Sequence, residues 1–261
     1  MTDISEKEVI LKCEGLTVQY NGSVPSAENV TFELKKGDSL LIVGRNGAGK
    51  STILKGLLGL APVKSGKVEI DDAYKKCIGY LPQQSPLQKD FPASVTEVVM
   101  SGFISKKSPL SFYNSNDKRR CAEILSYLGI PGLAKKSYRE LSGGERQRVL
   151  LARALCAAIM PDRADCKCSE VFCGMGGILI LDEPSNGLDP IANRMLYNTI
   201  KKLNRDNGMT VVMVSHLVGS AASCANKVLH MGKTVEFFGT LDDYRHTRLY
   251  STLTEGGELR D

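Results

Sequence analysis

Long hydrophobic runs are missing from this sequence of 261 residues, and so is an apolar segment at its N-terminus. The longest apolar runs, such as residues 177–181 and 211–214, have the length of strands, whereas a helix that crosses a membrane needs about 20 apolar residues. Residues 1–7 are polar and lack the apolar region of a signal peptide. We therefore expect the protein to stay in the cytosol, and a role at a membrane would require a separate membrane subunit.

Tracts of like charge, internal repeats and heptad runs are missing as well. The net charge is +5, which can indicate a nucleic-acid or anionic-lipid partner, but the basic residues are scattered and favour an ordinary solvated surface. Hydrophobic residues make up 42% and charged residues 24% of the chain, as in a typical globular protein. These values indicate one large domain with its own core and no nucleic-acid partner.

The apolar pattern predicts strands that alternate with helices, which is typical of the α/β class. Residues 9–20 alternate and predict an edge strand, and Asn21-Gly22 predicts a hairpin turn after it. Residues 39–43 predict a buried strand that leads into a glycine-rich loop and a helix at 51–60. Further strands are predicted at 30–34, 68–70, 77–80, 178–182, 210–214 and near 227–238, and further helices at 94–103, 117–130, 142–158, 190–206 and 217–224.

The glycine-rich loop, Gly44-Arg45-Asn46-Gly47-Ala48-Gly49-Lys50-Ser51, fits the pattern G-x-x-x-x-G-K-S of a phosphate-binding loop. Its glycines let the backbone N–H groups turn toward phosphate oxygens, and the helix that follows offers its positive N-terminal end to the same anion. In this pattern Lys50 reaches the β- and γ-phosphates, and the hydroxyl of Ser51 binds Mg²⁺. A chance glycine-rich turn is the alternative, but a strand before the loop and a helix after it favour phosphate binding.

An acidic pair ends the aliphatic strand at 178–181. The carboxylate of Asp182 can hold Mg²⁺ through water at the end of such a strand. Glu183 comes next and can act as a general base that takes a proton from an attacking water. A plain turn after a strand is the alternative, which the phosphate-binding loop upstream makes much weaker.

A second anion site is predicted at Leu141-Ser142-Gly143-Gly144-Glu145, where a glycine pair opens a helix with free N–H groups. One chain already holds its phosphates in the first loop, so a second site in the same chain would be redundant. Its use is therefore to cap the γ-phosphate of a nucleotide bound by another copy. A glycine hinge before a helix is the alternative interpretation.

Together these motifs resemble the nucleotide-binding subunit of an ATP-binding-cassette (ABC) transporter over roughly residues 8–240. The resemblance implies an α/β P-loop NTPase fold with a RecA-like core, an antiparallel β subdomain and an inserted α-helical subdomain at about 90–155. Residues 241–261 would form a short C-terminal tail.

The resemblance also assigns roles to single residues. Tyr20 would stack on adenine, Gln83 would contact Mg²⁺ and couple to the membrane subunit, and His216 would contact the γ-phosphate. Residues 185–189 match the loop that contacts the second copy, although Asn186 departs from the usual alanine. The full ATP-binding set is Tyr20, Gly44, Arg45, Asn46, Gly47, Ala48, Gly49, Lys50, Ser51, Thr52, Leu141, Ser142, Gly143, Gly144 and Glu145. The Mg²⁺ ligands are Ser51, Gln83 and Asp182, and the catalytic residues are Glu183, His216, Lys50 and Gln83.

The implied partners are a second copy of the chain, an integral-membrane permease and, indirectly, an extracellular metal-binding protein. This assembly would place the chain at the cytoplasmic face of the cell membrane. The segment at 90–102, with Phe91-Pro92 ahead of Val95 and Glu97, resembles the zinc, manganese and iron importer branch. The same segment is also a generic helix start with Ser94 as N-cap. An iron-chelate importer, an exporter and a soluble cassette ATPase of iron–sulfur cluster assembly remain open, and a repair or translation ATPase is disfavoured.

Five of the eight cysteines are dispersed, as is typical of reduced thiols in the cytosol, whereas Cys166, Cys168 and Cys173 crowd into an insertion at 161–177. Thiolates at this density could bind Zn²⁺ or Cu(I) or sense redox state, and a tolerated loop insertion is the alternative. For His230 and His246 we expect no catalytic role.

Overall fold

A computed structural model of the protein describes residues 8–20, 24–83, 92–108, 112–160, 176–216 and 218–255. The chain divides into two compact units. The first consists of residues 1–72 and 210–261, and the second of residues 73–209. The predicted hairpin turn at 21–22 and the three crowded cysteines lie outside the described residues.

One sheet of the first unit is three-stranded and antiparallel, with β1 (Val9–Val18) between β2 (Ala27–Lys35) and β4 (Val63–Ile70). The prediction that 9–20 forms an edge strand is therefore wrong. β4 is longer than the predicted strand at 68–70. The prediction missed its first residues because most side chains of β4 are exposed, and the polar stretch around Ser65 and Gly66 hides the alternation of a strand.

The remaining four strands of the first unit are neighbours in a second sheet, in the order β7 (Thr210–Val214), β3 (Ser39–Gly44), β8 (Lys227–Met231) and β9 (Val235–Thr240). β3 pairs in parallel with both β7 and β8, and β9 is antiparallel to β8. Every residue of β3 is buried, as the continuous apolar run predicts for a central parallel strand. The glycine-rich loop therefore begins at the carboxyl end of β3.

Helix α1 (Lys50–Leu57) follows that loop and packs against β1. A Cβ atom added at Gly56 would lie 2.9 Å from Cγ2 of Val18, so the helix is held close to the strand. Helix α6 (Val218–Ala222) lies between β7 and β8, and α7 (Leu241–Arg245) and α8 (Arg248–Glu255) follow β9.

The second unit is mainly helical around a parallel pair of strands, β5 (Ile78–Leu81) and β6 (Ile178–Asp182). Its central helix is α4 (Gly143–Ala158), which packs on β5, on α2 (Val95–Met100) and on α3 (Ser115–Tyr127). Helix α5 (Pro190–Arg205) follows β6, and short 3₁₀ turns lie at Ser101–Lys106, Pro131–Leu133 and Tyr138–Glu140.

Three helices of the second unit begin at a capping box. In this motif the N-cap side chain accepts a hydrogen bond from the backbone N–H three residues on, and the side chain of that residue accepts one from the backbone N–H of the N-cap. At α2 the N–H of Ser94 donates to Oε2 of Glu97 at 2.7 Å, which confirms the predicted helix start. Asn114 with Asp117 and Ser142 with Glu145 do the same for α3 and α4. These helix ends are therefore specified locally by the sequence.

Within the described residues, none of the helices combines the length and the apolar character that a membrane crossing requires. The five dispersed cysteines are all buried free thiols, and burial raises the pKa of the Cys13 thiol to about 12 and that of Cys121 to about 11. The thiols of Cys13 and Cys121 therefore stay protonated at neutral pH and act as small apolar side chains.

Candidate active site

The phosphate loop of the first unit has the backbone shape that its glycines predict. Gly47 has φ +81° and Gly49 has φ +87°, both in the left-handed region that favours glycine. A Cβ atom at Gly49 would lie 2.0 Å from the carbonyl oxygen of Ser26, and one at Gly44 would lie 2.0 Å from that of Met231. Neither position has room for a side chain, so this loop conformation requires glycine at both positions.

The N-terminus of α1 carries no side-chain cap. Its N-cap is Gly49, which has no oxygen to offer to the N–H groups of the first turn. Uncapped N–H groups at a helix start, together with the positive end of the helix dipole, bind an anion. Ser51 and Thr52 are half-buried in this first turn, and Ala48 is buried in the loop itself.

Lys50 lies folded into the phosphate loop. Its ammonium group donates to the carbonyl oxygens of Gly44 at 2.7 Å and Arg45 at 3.0 Å, and the residue is only 6% exposed. The middle of the loop is accessible, because Arg45, Asn46 and Gly47 are exposed. A buried ammonium beside an exposed glycine-rich loop is an arrangement suited to a polyphosphate.

His230 lies behind this loop, on β8 beside Val43. Its Nδ1 is 2.7 Å from the hydroxyl of Tyr244, and its Nε2 is 3.6 Å from Oε2 of Glu236. Burial lowers the pKa of His230, the charge of Lys50 lowers it further, and Glu236 opposes the shift. The ring is therefore neutral at physiological pH and serves as a structural link to α7.

A pH-dependent loss of stability follows from this burial. Because the folded-state pKa of His230 is lowered, its contribution is fully present above the unfolded-state pKa and is lost as the pH falls through the folded-state pKa. We expect the free energy of unfolding in urea to fall below about pH 6.5. His230→Gln should flatten this fall, whereas His246→Gln, a change at an exposed histidine, should leave it unchanged. Equal slopes in all three proteins would refute the role of His230.

Tyr20 and His216 also belong to the first unit. Tyr20 follows β1 and is 40% exposed. His216 follows β7 and is exposed, next to the buried Ser215. Both positions fit the predicted roles.

The acidic pair lies in the second unit at the end of β6. Asp182 is 1% exposed and Glu183 is 8% exposed. Burial, and to a smaller degree the charge of Asp182, raise the pKa of Tyr80 on the neighbouring strand β5 to about 12. Asp182 is thus a buried carboxylate at the carboxyl end of a parallel strand, where ligands of α/β proteins bind.

Glu183 has a strained backbone, with φ +51°. This left-handed conformation is unfavourable for a side chain like that of Glu and costs about 1–2 kcal/mol. Such strain persists where the surrounding structure holds it, and it clusters at active sites. The outlier therefore supports a functional role for Glu183.

The segment 141–145 opens α4 as predicted, with Leu141 buried and Ser142 and Gly143 exposed. The N–H and hydroxyl of Ser142 both donate to Oε2 of Glu145 at 2.8 Å, and these bonds lower the pKa of Glu145. Gly143 and Gly144 have no side chains to cover the N–H groups of the first helical turn. The helix start is thus rigid and open to an anion.

Gln147 continues the family signature in the sequence, but the sequence assigned it no role. It is 2% exposed, and its side-chain amide donates to the carbonyl oxygen of Pro184, directly after Glu183. The next residue, Ser185, has its hydroxyl 3.1 Å from that of Tyr197 on α5. No local sequence signal points to this contact, because the two partners of the first bond lie 37 positions apart.

Gln83 is exposed two residues after the end of β5. Gln84 and Phe91 lie outside the described residues. The candidate residues thus fall into two groups. The phosphate loop, Tyr20 and His216 belong to the first unit, and the acidic pair, Gln83 and the segment 141–145 belong to the second.

Comparisons with known proteins agree with these motifs. A family model described as ABC transporter matches residues 27–159. The manganese transport system ATP-binding protein MntB of Listeria monocytogenes is 33% identical over 236 residues, which are 89% of this chain and 90% of that protein. The zinc uptake system ATP-binding protein ZurA of Listeria innocua is 32% identical over 228 residues, which are 84% of this chain and 81% of that protein.

Solved structures resemble most of the chain as well. One, reported as a metal-chelate type ABC transporter in an inward-facing conformation, has a TM-score of 0.76 and 29% identity, and the match covers 95% of this chain and 90% of that one. Another, a dimeric bacterial ABC transporter cassette, has a TM-score of 0.71 and 26% identity and covers 89% of this chain and 99% of that one.

Proposed function

Because this chain belongs to the ABC transporter family as an ATP-hydrolysing subunit, we propose that it powers the import of a divalent metal ion, zinc or manganese or else iron. Two copies of the chain would bind two ATP molecules between them, on the cytoplasmic side of an integral-membrane permease. An extracellular metal-binding protein would deliver the ion to that permease. The observation that carries the cargo assignment is the match to a manganese and a zinc transport ATPase over at least 84% of this chain.

The phosphate loop would bind the ATP phosphates. Backbone N–H groups at the open start of α1 would donate to phosphate oxygens, and the Lys50 ammonium would turn from the carbonyl oxygens of Gly44 and Arg45 to the β- and γ-phosphates. Tyr20 would hold the adenine ring. These contacts orient the γ-phosphate before any bond is broken, and positioning supplies much of the rate.

Mg²⁺ would be held by Ser51, Gln83 and Asp182, whose hydroxyl, amide and buried carboxylate are the oxygen ligands that this ion prefers. When bound, Mg²⁺ would supply positive charge to the phosphate oxygens as the terminal phosphate is transferred.

Glu183 would act on the attacking water. Its carboxylate accepts the water proton while the oxygen forms a bond to the γ-phosphorus and the bond to the leaving ADP oxygen breaks. His216 would contact the γ-phosphate and stabilise the charge on it. The buried and strained position of Glu183 supports this role, because a base fixed by its surroundings loses no freedom during the reaction.

The second anion site supports the dimer. The start of α4 offers uncovered N–H groups at Gly143 and Gly144, yet the chain already binds phosphates at its first loop. In an ATP-sandwich dimer this second site caps the γ-phosphate held by the other copy. The similar cassette that was solved as a dimer supports a dimer of this chain.

The experiment that tests the cargo is a measurement of total zinc, manganese and iron in cells that lack this chain, complemented with wild type, Glu183→Gln or Glu33→Gln. Glu33→Gln is a matched control, since Glu33 is exposed on β2. We expect one metal to fall selectively and to be restored by wild type and by Glu33→Gln, but not by Glu183→Gln. No change in any of the three metals under limitation would refute the metal assignment.

Co-purification tests the membrane partner. Wild-type chain extracted in mild detergent should bring down an integral-membrane protein in a fixed ratio. Recovery with soluble assembly factors alone would refute the importer and favour a cytosolic cassette ATPase.

A further inference from the structure

The side chain of Gln147 connects the start of α4 to the turn that carries Glu183. Its amide nitrogen donates to the carbonyl oxygen of Pro184 at 2.5 Å, and the residue is 2% exposed. A buried side-chain amide with a fixed backbone partner has one orientation, because leaving its donor unsatisfied would be costly. The bond therefore fixes the peptide unit directly after Glu183.

The turn after Glu183 depends on such contacts. Its first residue has φ +51°, and the N–H of Asn186 donates to the carbonyl oxygen of Glu183 at 3.1 Å. The hydroxyl of Ser185, later in the same turn, is hydrogen-bonded to the hydroxyl of Tyr197 on α5. A strained conformation reverts when its supports are removed, so the bond from Gln147 is one of the groups that keep the Glu183 carboxylate in place.

The same turn lies against the glycine pair that opens α4. A Cβ atom at Gly143 would be 3.9 Å from the carbonyl oxygen of Gly187, and one at Gly144 would be 3.8 Å from Cδ2 of Leu188. Gln147 lies one helical turn beyond Gly143. The start of α4 and the turn at 183–188 are thus in contact at two places, and Gln147 supplies the polar contact between them.

From this geometry we propose that Gln147 is a positioning residue, which holds Glu183 of its own chain in the catalytic orientation and makes that orientation depend on α4. The inference rests on the proposed function. In the ATP-sandwich dimer the start of α4 serves the partner's nucleotide, whereas Glu183 acts on the nucleotide of its own chain. Gln147 therefore joins the two ATP sites through one hydrogen bond.

The test uses assemblies purified from membranes with two differently tagged copies of the chain. One copy carries Glu183→Gln, so only the other copy has a base. Gln147→Met, which keeps the length and removes the donor, is placed either in the copy with the intact base or in the copy without it. We expect the first placement to lower kcat by about 10- to 100-fold at an unchanged KM for ATP, and the second to change kcat by less than about threefold.

Two further variants separate positioning from loss of stability. Val149→Ala shortens a fully buried apolar side chain of the same helix. This change should lower Tm and leave kcat nearly unchanged, because a valine side chain makes no hydrogen bond to Pro184. Gln147→Glu has the same shape, but its ionised form has no donor for the Pro184 carbonyl. Its kcat, relative to wild type, should rise as the pH falls and the carboxyl regains a proton.

The outcomes are distinct. Loss of kcat only when Gln147→Met is placed in the copy without a base would overturn the proposal, because Gln147 would then act on the partner's nucleotide through α4. Equal loss from both placements, or no loss from either, would overturn it too. Wild-type turnover by a dimer in which both copies carry Glu183→Gln would overturn the proposed function itself, whatever Gln147 does.

Discussion

Replacing Glu183 by Gln is expected to lower kcat by about 10²–10⁴-fold, the range that a general base contributes, while ATP still binds. The amide keeps the size of the carboxylate but cannot accept the proton of the attacking water. Because Lys50 and the open start of α1 are unchanged, the variant should hold ATP and accumulate as a closed dimer. Rapid-quench turnover and size-exclusion chromatography with ATP measure the two effects.

The strain at Glu183 provides a second readout for the same position. Asn tolerates the left-handed region better than Glu, so Glu183→Asn should be inactive but more stable than Glu183→Gln by about 1 kcal/mol, provided that its shorter side chain packs as well. In a chain of this size that difference raises Tm by about 2–4 °C. Glu33→Gln should match wild type in both kcat and Tm. Robust hydrolysis by Glu183→Gln would remove Glu183 from the role of base.

Local features of this protein could be predicted from the sequence, because their causes lie within a few residues. The capping boxes at Ser94 and Ser142 and the curve of the phosphate loop each depend on neighbouring side chains or glycines. The buried parallel strands were equally clear, since β3, β6 and β7 each contain a run of four apolar residues. These elements are the ones that carry the candidate site.

Features with distant or hidden causes were missed. The exposed polar residues of β4 conceal a strand, and without it β1 was placed at an edge instead of the centre of its sheet. The left-handed backbone of Glu183 was missed because glutamate gives no signal for positive φ. The bond from Gln147 to Pro184 was missed because only the packed unit brings α4 to the end of β6.

Replacing Lys50 by Met is expected to weaken ATP binding by about 100-fold or more. A charge-assisted hydrogen bond contributes about 1.5–3 kcal/mol, and Lys50 would make such bonds to two phosphate groups. Their loss corresponds to about two or more powers of ten in Kd. The N–H groups at the start of α1 remain, so weak binding of phosphate should persist. Titration with a fluorescent ATP analogue measures the change.

Lys55→Met is the matched control, because Lys55 is exposed in the last turn of the same helix. It removes the same charge from α1 at a distance from the phosphate loop, so a general electrostatic effect of net charge would weaken ATP binding in both variants. Lys50→Met also leaves the carbonyl oxygens of Gly44 and Arg45 without this ammonium donor, and a lower Tm should accompany the loss of affinity. Unchanged ATP affinity in Lys50→Met would show that the loop binds phosphate through its backbone alone, and the assignment of Lys50 to the β- and γ-phosphates would then be wrong.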